Sequence, residues 1–309
     1  MFDMALGAKG AFRERPFCHG LNTFVVPPMR FAEDSCRCLV AQVRCGMPAL
    51  ILSAGQAGAT APAPLAGALV QGLAECLSGL TVVNLISPGH PAIVGLWPFV
   101  SDLRSGDMSG GSGEVALLNA ASAQIVNQMG LPSGVPAGMT DSKLPDNQAG
   151  YENGMTISLA AAAGANMIYE SAGMLGSLLG NSLEGFVMDI DMMGAMNRTV
   201  RGIEVTDETL ATAVVARVVR GDGHFLGQPQ TFALMKSEYV YPKLADRTSP
   251  KIWAKKGSTD MAERAHERVR EILNSYFPKL ISKEVDDRIR EHFPIRLPRA
   301  ELDGPTGRW

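Results

Sequence analysis

Short apolar runs alternate with longer stretches of helical periodicity over the first two thirds of the chain. The predicted strands are 21–26, 48–54, 81–87, 132–138 and 165–171. The predicted helices between them are 31–46, 62–79, 113–129, 146–164 and 183–200. Continuous apolar strands that are each followed by a helix are typical of a parallel sheet covered on both faces. The pattern therefore predicts an α/β fold.

Two architectures fit such repeated strand–helix units, a (β/α)8 TIM-type barrel and an open doubly wound sheet. A dinucleotide-binding sheet is expected to carry GxGxxG directly after its first strand. The nearest sequence, GGSG at 110–113, follows SGDMS and not a strand. The barrel is therefore the favoured prediction.

The composition changes at about residue 236, where lysine, arginine, glutamate and aspartate become dense. WAKKGSTDMAERAHERVREILNSY predicts an amphipathic helix that opens at Ser258, with Asp260 in its first turn, and a second helix is predicted at 282–292. We therefore divide the chain into a barrel portion, 1–235, and a C-terminal helical extension packed on it, 236–309. Acids balance the bases there, which favours a solvated helical face over a binding patch.

Charge and hydropathy narrow the classes of partner. The 309 residues carry a formal net charge of −3 and no basic stripe, so nucleic acid is a poor candidate. No run of about 20 apolar residues predicts a membrane span. The first residues lack the order of a signal peptide, so we expect a cytoplasmic protein. The cysteines show no CxxC spacing, and no metal site is predicted.

Active sites of parallel barrels lie at the carboxyl ends of the strands, so polar residues after predicted strands are the candidates. Gln56 follows the strand 48–54, and Asn84 lies within 81–87. Glu170 ends an apolar strand, where a carboxylate is usually paired or functional. His224 lies in GDGHFLGQPQT, a loop too polar for a core. Each of these four residues is therefore a candidate for the active site.

The segment TDSKLPDNQAGYEN at 140–153 is rich in hydrogen-bonding side chains and lies between two apolar, glycine-rich segments. Asp146 fits the N-cap of the helix that follows. Gln148 and Glu152 lie one turn apart on one face of that helix. Lys143 fits a solvated loop position as well as a partner for a substrate carboxylate. Since the rest of the helix is apolar, its N-terminus is expected to point into the barrel mouth.

Several motifs in the same order resemble the trimethylamine methyltransferase family, which includes trimethylamine and glycine betaine corrinoid methyltransferases. The motifs are GATAPAPLAGALVQ, SPGHPAI, TDSKLPDNQAGYE, ANMIYESAGML, EGFVMDIDMM, RGIEV and GHFLGQPQT, within a match from about Arg15 to Arg290. The resemblance implies a (β/α)8 barrel that moves a methyl group from an amine to the cobalt of a separate corrinoid protein.

Two departures from the family pattern shape the expectations. Family chains are typically longer at the amino end, so the barrel is expected to be incomplete at its N-terminus. Its open sheet edges would favour a homo-oligomer. The trimethylamine branch carries pyrrolysine, and no nonstandard residue is seen in this sequence. A quaternary amine such as a betaine is therefore favoured over trimethylamine.

The positions of the candidates and the chemistry of the implied reaction suggest their expected roles. The expected catalytic residues are Glu170, His224 and Asp141. The expected substrate-binding residues are Tyr151, Glu152, Tyr169, Phe225, Gln148 and Lys143, and Trp97 is a further available aromatic residue. The expected cofactor-binding residues are Gln56, Asn84 and Gln228. Aromatic faces and carboxylates suit a quaternary ammonium, which has no N–H group to donate, and the partner's cobalt(I) supplies the nucleophile.

Two alternatives stay open. The chain could be a catalytically inactive barrel that binds a betaine or a corrinoid-protein partner. It could also be a lyase that uses Lys143 as a Schiff-base amine.

Overall fold

The computed structural model describes residues 1–221 and 223–304, and it has a mixed α/β fold. Residues 305–309 of the predicted helical extension lie outside the described residues. The helices are α1 (Phe2–Leu6), α2 (Ala11–Glu14), α3 (Glu33–Cys45), α4 (Leu65–Ile86), α5 (Gly113–Gln128), α6 (Asn147–Ala162), α7 (Leu183–Arg201), α8 (Asp207–Leu210), α9 (Thr212–Arg220), α10 (Pro229–Leu234), α11 (Pro250–Lys255), α12 (Met261–Ser275), α13 (Lys283–His292) and α14 (Ala300–Asp303). The strands are β1 (Gly20–Asn22), β2 (Val25–Val26), β3 (Arg30–Phe31), β4 (Ala49–Ser53), β5 (Gln56–Ala57), β6 (Ala92–Leu96), β7 (Phe99–Ser101), β8 (Met108–Ser109), β9 (Gly134–Pro136), β10 (Met167–Tyr169), β11 (Met174–Leu175) and β12 (Gly180–Asn181).

Parallel strands form the centre of the fold. β1, β4 and β6 pair in that order, and β9 pairs with β10. A parallel bridge between Val94 and Ser133 joins the two groups. The described residues therefore hold the strand series β1-β4-β6-β9-β10, and no closed barrel is found among them. The prediction of an α/β fold is confirmed, while the barrel stays a prediction.

Alternation along β4 separates two apolar layers, because successive side chains of a strand point to opposite faces. Ala49 and Ile51 pack with α3 and α4. Leu50 and Leu52 pack on the other face with Trp97. The helices thus cover one face of the sheet, and the other face carries its own buried cluster.

The predicted strand 81–87 is wrong, because these residues form the last turns of α4. TVVNLIS is rich in β-branched residues, which favour strands. It nevertheless continues a helix whose buried positions Gly72, Cys76, Gly79 and Val83 recur with helical spacing. The strand that follows in the sheet is β6, in the sequence AIVGL, which the apolar pattern missed.

Helix α4 is the one helix of the described residues whose length and composition suit a membrane span, with a mean hydropathy of 1.5 over an 18-residue window. The sequence predicted no such segment. In this fold α4 packs against β4 and β6. Core helices of soluble proteins pass the same test, so composition alone is weak evidence for a span.

The two predicted C-terminal helices are present, but the first begins at Met261 and not at Ser258, and Asp260 is its N-cap residue. The start of the predicted run, WAK, ends the separate helix α11. α12 begins after Asp260, whose side chain caps the helix reciprocally with Glu263, and α13 occupies most of the predicted 282–292. His266 on α12 lies 3.0 Å from Glu184 on α7, and α12 packs along α7. The domain boundary at 235 stays a prediction.

Candidate active site

A cavity of about 1130 Å³ lies at the carboxyl edge of the parallel strands. Its walls come from the connections that follow four of them, β4, β6, β9 and β10. Carboxyl ends of parallel strands share one edge of a sheet, which is why these connections meet. The geometry therefore gathers residues that are distant in sequence.

The connection after β9 can turn under α6 only because it contains Gly138. This residue has a φ of 94°, and a Cβ there would lie 2.8 Å from the Cα of Ser171. Its backbone N–H donates to Thr156 Oγ1 on α6 at 3.0 Å. Any side chain at 138 would meet both a steric and a conformational penalty.

Glu152 fastens this connection to the first turns of α6. Its buried carboxylate accepts from the hydroxyl of Thr140, from the backbone N–H of Asp141 at 2.8 Å and from Gln148 Nε2 at 2.9 Å. The hydroxyl of Tyr151 lies 3.5 Å away. Glu152 and Gln148 share a helical face as predicted. Their polar atoms serve one internal network, and neither residue lines the cavity.

Asp146 caps α6, as predicted. Its carboxylate accepts from the backbone N–H of Ala149 at 3.1 Å and from the hydroxyl of Ser142 at 2.9 Å. These hydrogen bonds lower the pKa of Asp146. Much of the polarity of 140–153 is therefore used to hold the segment itself in place.

Asp141 lines the cavity and connects two of its walls. The hydroxyl of Ser109 donates to Oδ2 at 2.5 Å, and the backbone N–H of Gly110 donates to Oδ1 at 2.8 Å. The N–H of Gly111 at 3.4 Å and the hydroxyl of Ser177 complete the set. GGSG, the weak nucleotide-loop motif of the sequence, thus donates to a carboxylate.

The pKa of Asp141 reflects two opposed effects. Burial raises it, and the hydrogen bonds from Ser109, Ser177, Gly110 and Gly111 outweigh burial, so the net pKa is lowered. Asp141 is therefore a carboxylate anion at neutral pH.

Lysine and arginine are scarce in the middle of the chain, and those present there lie at this cavity. Between Arg44 and Arg198 the sequence contains only two basic residues, Arg104 and Lys143, and both line the cavity. Arg104 is paired with Asp102 at 2.6 Å. Lys143 donates from Nζ to the backbone oxygen of Asp141 at 2.7 Å and is exposed.

Acids outnumber bases in the cavity wall. Asp102, Asp107, Glu114 and Asp141 line it together with the two basic residues. The cavity therefore carries an excess of negative charge, which favours a cationic ligand.

Glu170 directly follows β10 at the carboxyl edge. It has a φ of 60° and is half-buried, and its carboxylate has no hydrogen-bond partner within the described residues. A left-handed conformation in a non-glycine residue is costly and is enriched at functional sites. Glu170 does not line the cavity itself.

Tyr169 and Trp97 lie on the inner face of the sheet and outside the cavity. Their ring centroids are 5.5 Å apart, and the hydroxyl of Tyr169 lies 3.2 Å from His19 Nε2. Burial raises the pKa of Tyr169 to about 12.

The structure does not gather the predicted aromatic residues into one cage. Tyr151 is exposed on α6, and Phe225 lies on an exposed turn between α9 and α10. No aromatic residue lines the cavity within the described part of the chain. Sequence adjacency to predicted strands could not reveal that these rings point to different places.

His224 and Gln228 share that exposed turn with Phe225, and none of the three lines the cavity. Gln228 accepts from Arg217 at 2.9 Å. The structure therefore does not bring His224 together with Asp141.

The predicted cofactor-binding residues also lie apart. Gln56 Oε1 accepts from the hydroxyl of Ser101 at 3.0 Å within the cavity wall. Asn84 lies near the end of α4, exposed, where it accepts from the N–H of Gly89 at 3.1 Å. That end of α4 leads into the start of β6, at the opposite edge of the sheet from the cavity. Placement of Asn84 at the site followed from the wrong strand assignment of 81–87.

Glu75 is a buried acid that the sequence patterns did not single out. It accepts from the backbone N–H of Met29 at 2.8 Å, from Gln71 Nε2 at 3.2 Å and from the hydroxyl of Ser53. It thereby ties the connection after β1 to α4 and to the end of β4. Glu75 is the only charged residue of α4, which was a usable signal.

Comparison with known proteins points to the same family as the sequence motifs do. The family model described as trimethylamine methyltransferase (MTTB) matches residues 1–298. A glycine betaine methyltransferase of Desulfitobacterium hafniense (strain Y51) is 36% identical over 284 residues, which cover 92% of this chain and 59% of that protein. A trimethylamine methyltransferase MttB of Methanosarcina thermophila is 36% identical over 258 residues, which cover 84% of this chain and 53% of that protein.

The chain thus spans between half and three fifths of the length of these relatives. The match of the family model extends over nearly the whole chain. The resemblance predicted from the motifs is confirmed, and the chain belongs to the trimethylamine methyltransferase family.

Proposed function

We propose that this chain acts in the transfer of a methyl group from a quaternary or tertiary amine to the cobalt of a corrinoid carried by a separate protein. Membership of the family supports the reaction class. The observation that carries the proposal is the anionic cavity at the carboxyl edge, walled in part by the segment 140–146. Small-molecule sites of parallel α/β folds lie at this edge.

The parallel series β1-β4-β6-β9-β10 supports a (β/α)8 barrel as the architecture. Each strand pairs with the next one along the chain in the series, as barrel strands do. The helices α3 to α6 lie between these strands in sequence and pack on one face.

A methylated ammonium is the cation that best fits the cavity charge. A quaternary nitrogen has no N–H group, so a wall of carboxylates attracts it through charge and not through hydrogen bonds. Asp107, Glu114 and Asp141 supply that charge, because Asp102 is paired with Arg104.

Lys143 adds a group for the other end of a betaine. It is the cavity-lining base that is not paired with a carboxylate within the described residues. An exposed ammonium beside acidic walls suits a zwitterionic ligand, in which a carboxylate accompanies the methylated nitrogen. This arrangement favours a betaine over an amine without a carboxylate.

The corrinoid supplies a cobalt(I) nucleophile that accepts the methyl group when the carrier protein is bound. The residues of this chain bind and orient the amine, and they limit the access of water. The cavity opens between connection tips that carry Leu103 and Leu179, 72% and 92% exposed. These two exposed apolar side chains at the opening fit the approach of a large, flat group.

The test is the absorbance of cob(I)alamin incubated with the protein and a panel of methylamines and betaines. Conversion to methylcobalamin with one member of the panel is the expected result. Saturable betaine binding by calorimetry without conversion would instead assign a binding function to the chain. Absence of both binding and conversion in a folded protein would reject the proposal.

Two variants sharpen this test. Glu170→Gln removes the unpartnered carboxylate at the edge and is expected to slow transfer at least tenfold, because it removes a negative charge near the reacting cation. His224→Ala changes an exposed turn away from the cavity and is the matched control. Equal loss in both variants would contradict the placement of the site at this edge.

A further inference from the structure

Two walls of the cavity meet at a single carboxylate. The Asp141 carboxylate accepts hydrogen bonds from Ser109 and Gly110, in the connection after β6. It also accepts a hydrogen bond from Ser177, in the β11–β12 hairpin. With the weaker contact from Gly111, donors occupy both carboxylate oxygens. Three of these donors fill Oδ1, and Oδ2 accepts from Ser109 alone, so at most one acceptor position of Asp141 stays open.

The β11–β12 hairpin is also hydrogen-bonded to the two residues that flank Asp141, Thr140 and Ser142. The N–H of Gly176 donates to the backbone oxygen of Ser142 at 2.8 Å, and the N–H of Ser177 donates to that of Thr140 at 2.8 Å. Its cavity-lining residues are Leu175, Gly176, Ser177, Leu179, Gly180 and Asn181. The position of this wall therefore depends on the contacts with 140–142.

The turn of the hairpin is strained. Ser177 and Leu178 have φ angles of 51° and 78°, in the left-handed region that disfavours residues with a side chain. The next residue, Leu179, is 92% exposed and packs little. The backbone preference of the turn thus opposes its observed conformation, and the contacts at 140–142 must hold it.

We propose that Asp141 is a positioning residue that latches the β11–β12 hairpin as a wall of the cavity. This assignment replaces the catalytic role predicted from the sequence. Its kinetic consequences rest on the proposed function, whereas the latch itself does not. A wall that is held in place sets the affinity for the amine, and its release leaves the chemical step largely unchanged.

A role for Asp141 as a general base fits the site poorly. An effective base has a pKa near the working pH and a free lone pair directed at the substrate. The pKa of Asp141 is lowered, its Oδ1 is filled by protein donors, and its Oδ2 already accepts from Ser109.

The first test is Asp141→Asn, which keeps the size of the side chain and leaves one acceptor oxygen. Hydrogen exchange at the amides of Gly176 and Ser177 is expected to accelerate at least tenfold. The amide of Val94, bonded to Pro132 within the sheet, is the internal control. In cob(I)alamin assays, KM for the amine is expected to rise at least fivefold while kcat stays within about twofold.

Hairpin variants test the latch without changing Asp141. Ser177→Ala removes one donor and is expected to accelerate the same amides less than Asp141→Asn does. Leu178→Asn places a residue that tolerates the left-handed region, so exchange is expected to slow. Leu179→Asn changes an exposed neighbour without positive φ and is the matched control.

Unchanged exchange at Gly176 and Ser177 in Asp141→Asn would overturn the latch. So would a loss of kcat beyond a hundredfold at constant KM, since that pattern marks a group acting in the transition state. If Asp141→Asn does not fold, the opposite shifts expected from Ser177→Ala and Leu178→Asn decide the question. A wild-type protein without methyl transfer would reject the proposed function, and the exchange measurements would still test the latch.

Discussion

The segments 140–153 and 223–231 are both polar and glycine-containing, and the sequence predicts site residues in each. In the first, Glu152 and Asp141 are each surrounded by donors, and the segment forms part of a cavity wall. In the second, His224 and Phe225 are exposed, and Gln228 contacts Arg217. Similar composition therefore gives an embedded network in one region and a solvated turn in the other.

The difference follows from what precedes each segment. The first comes directly after β9, so the sheet delivers it to the edge where other connections also arrive. The second comes after α9, and no parallel strand of the described residues positions it. Polar residues indicate a site when the sheet brings them to a shared edge, because only then do distant donors and acceptors meet.

The largest contrast is expected from removing one polar group in each region. Glu152→Ala leaves the Thr140 hydroxyl, the Asp141 N–H and the Gln148 amide without their acceptor in a buried place. The free energy of unfolding is expected to fall by about 3 kcal/mol. His224→Ala is expected to change it by less than about 0.5 kcal/mol. Urea denaturation measures both free energies. Equal losses would contradict the difference between an embedded network at 140–153 and a solvated turn at 223–231.

A smaller contrast is expected from two glycines. A Cβ at Gly111 would overlap the carboxylate of Glu152, whereas a Cβ at Gly227 meets nothing within 4 Å. Gly111→Ala is expected to cost about 2 kcal/mol of unfolding free energy, and Gly227→Ala is expected to be near neutral. Thermal unfolding followed by circular dichroism distinguishes them, and a tolerated Gly111→Ala would show that Glu152 can move.

The pH dependence of stability sharpens the comparison further. The folded-state pKa of Asp141 lies below its ordinary value of 3.8. Its stabilising contribution is therefore complete above about pH 4 and is lost as the pH falls through the folded-state pKa. Urea denaturation between about pH 2.5 and pH 5 is expected to give a steeper acid loss for wild type than for Asp141→Asn. His224→Ala is expected to follow wild type there, and parallel curves for all three proteins would contradict the latch.

The smallest effect on stability is expected at Lys143, which is exposed. Lys143→Met is expected to leave the unfolding free energy within about 0.5 kcal/mol of wild type. Calorimetry is expected to show a several-fold loss of affinity for glycine betaine and none for tetramethylammonium, which lacks a carboxylate. An equal loss for both ligands would remove the carboxylate contact from the proposal.

Local periodicity predicted α3, α5, α6, α7 and α13 to within about two residues, because helical spacing and caps such as Asp146 depend on only a few neighbouring residues. It did not predict the short helices α8 to α10. It failed at 81–87, where β-branched residues sit at the end of a helix whose other turns pack on the sheet. Tertiary packing overrides propensity in such runs. The family motifs correctly identified the family, which no periodicity could have done.

The candidate site was predicted only in part. Asp141, Lys143 and the N-cap Asp146 belong to one segment, and their proximity was readable from the sequence. The donors to Asp141 are 32 and 36 residues away, at Ser109 and Ser177. Their convergence depends on strand order and on the left-handed turn at 176–178, which single-sequence patterns do not encode. For the same reason the sequence did not show that Tyr151, Tyr169 and Phe225 lie in different places.

The scarcity of basic residues around the sheet has a practical consequence. Trypsin cleaves after lysine and arginine, so between Arg44 and Arg198 its only targets are Arg104 and Lys143, both exposed at the cavity. A molecule that fills the cavity is expected to slow cleavage at both sites. Cleavage in the helices after residue 236, which are rich in lysine and arginine, is expected to continue at its usual rate and serves as the internal control. The masses of the resulting peptides would then report occupancy of the cavity for any compound added, whether or not that compound reacts.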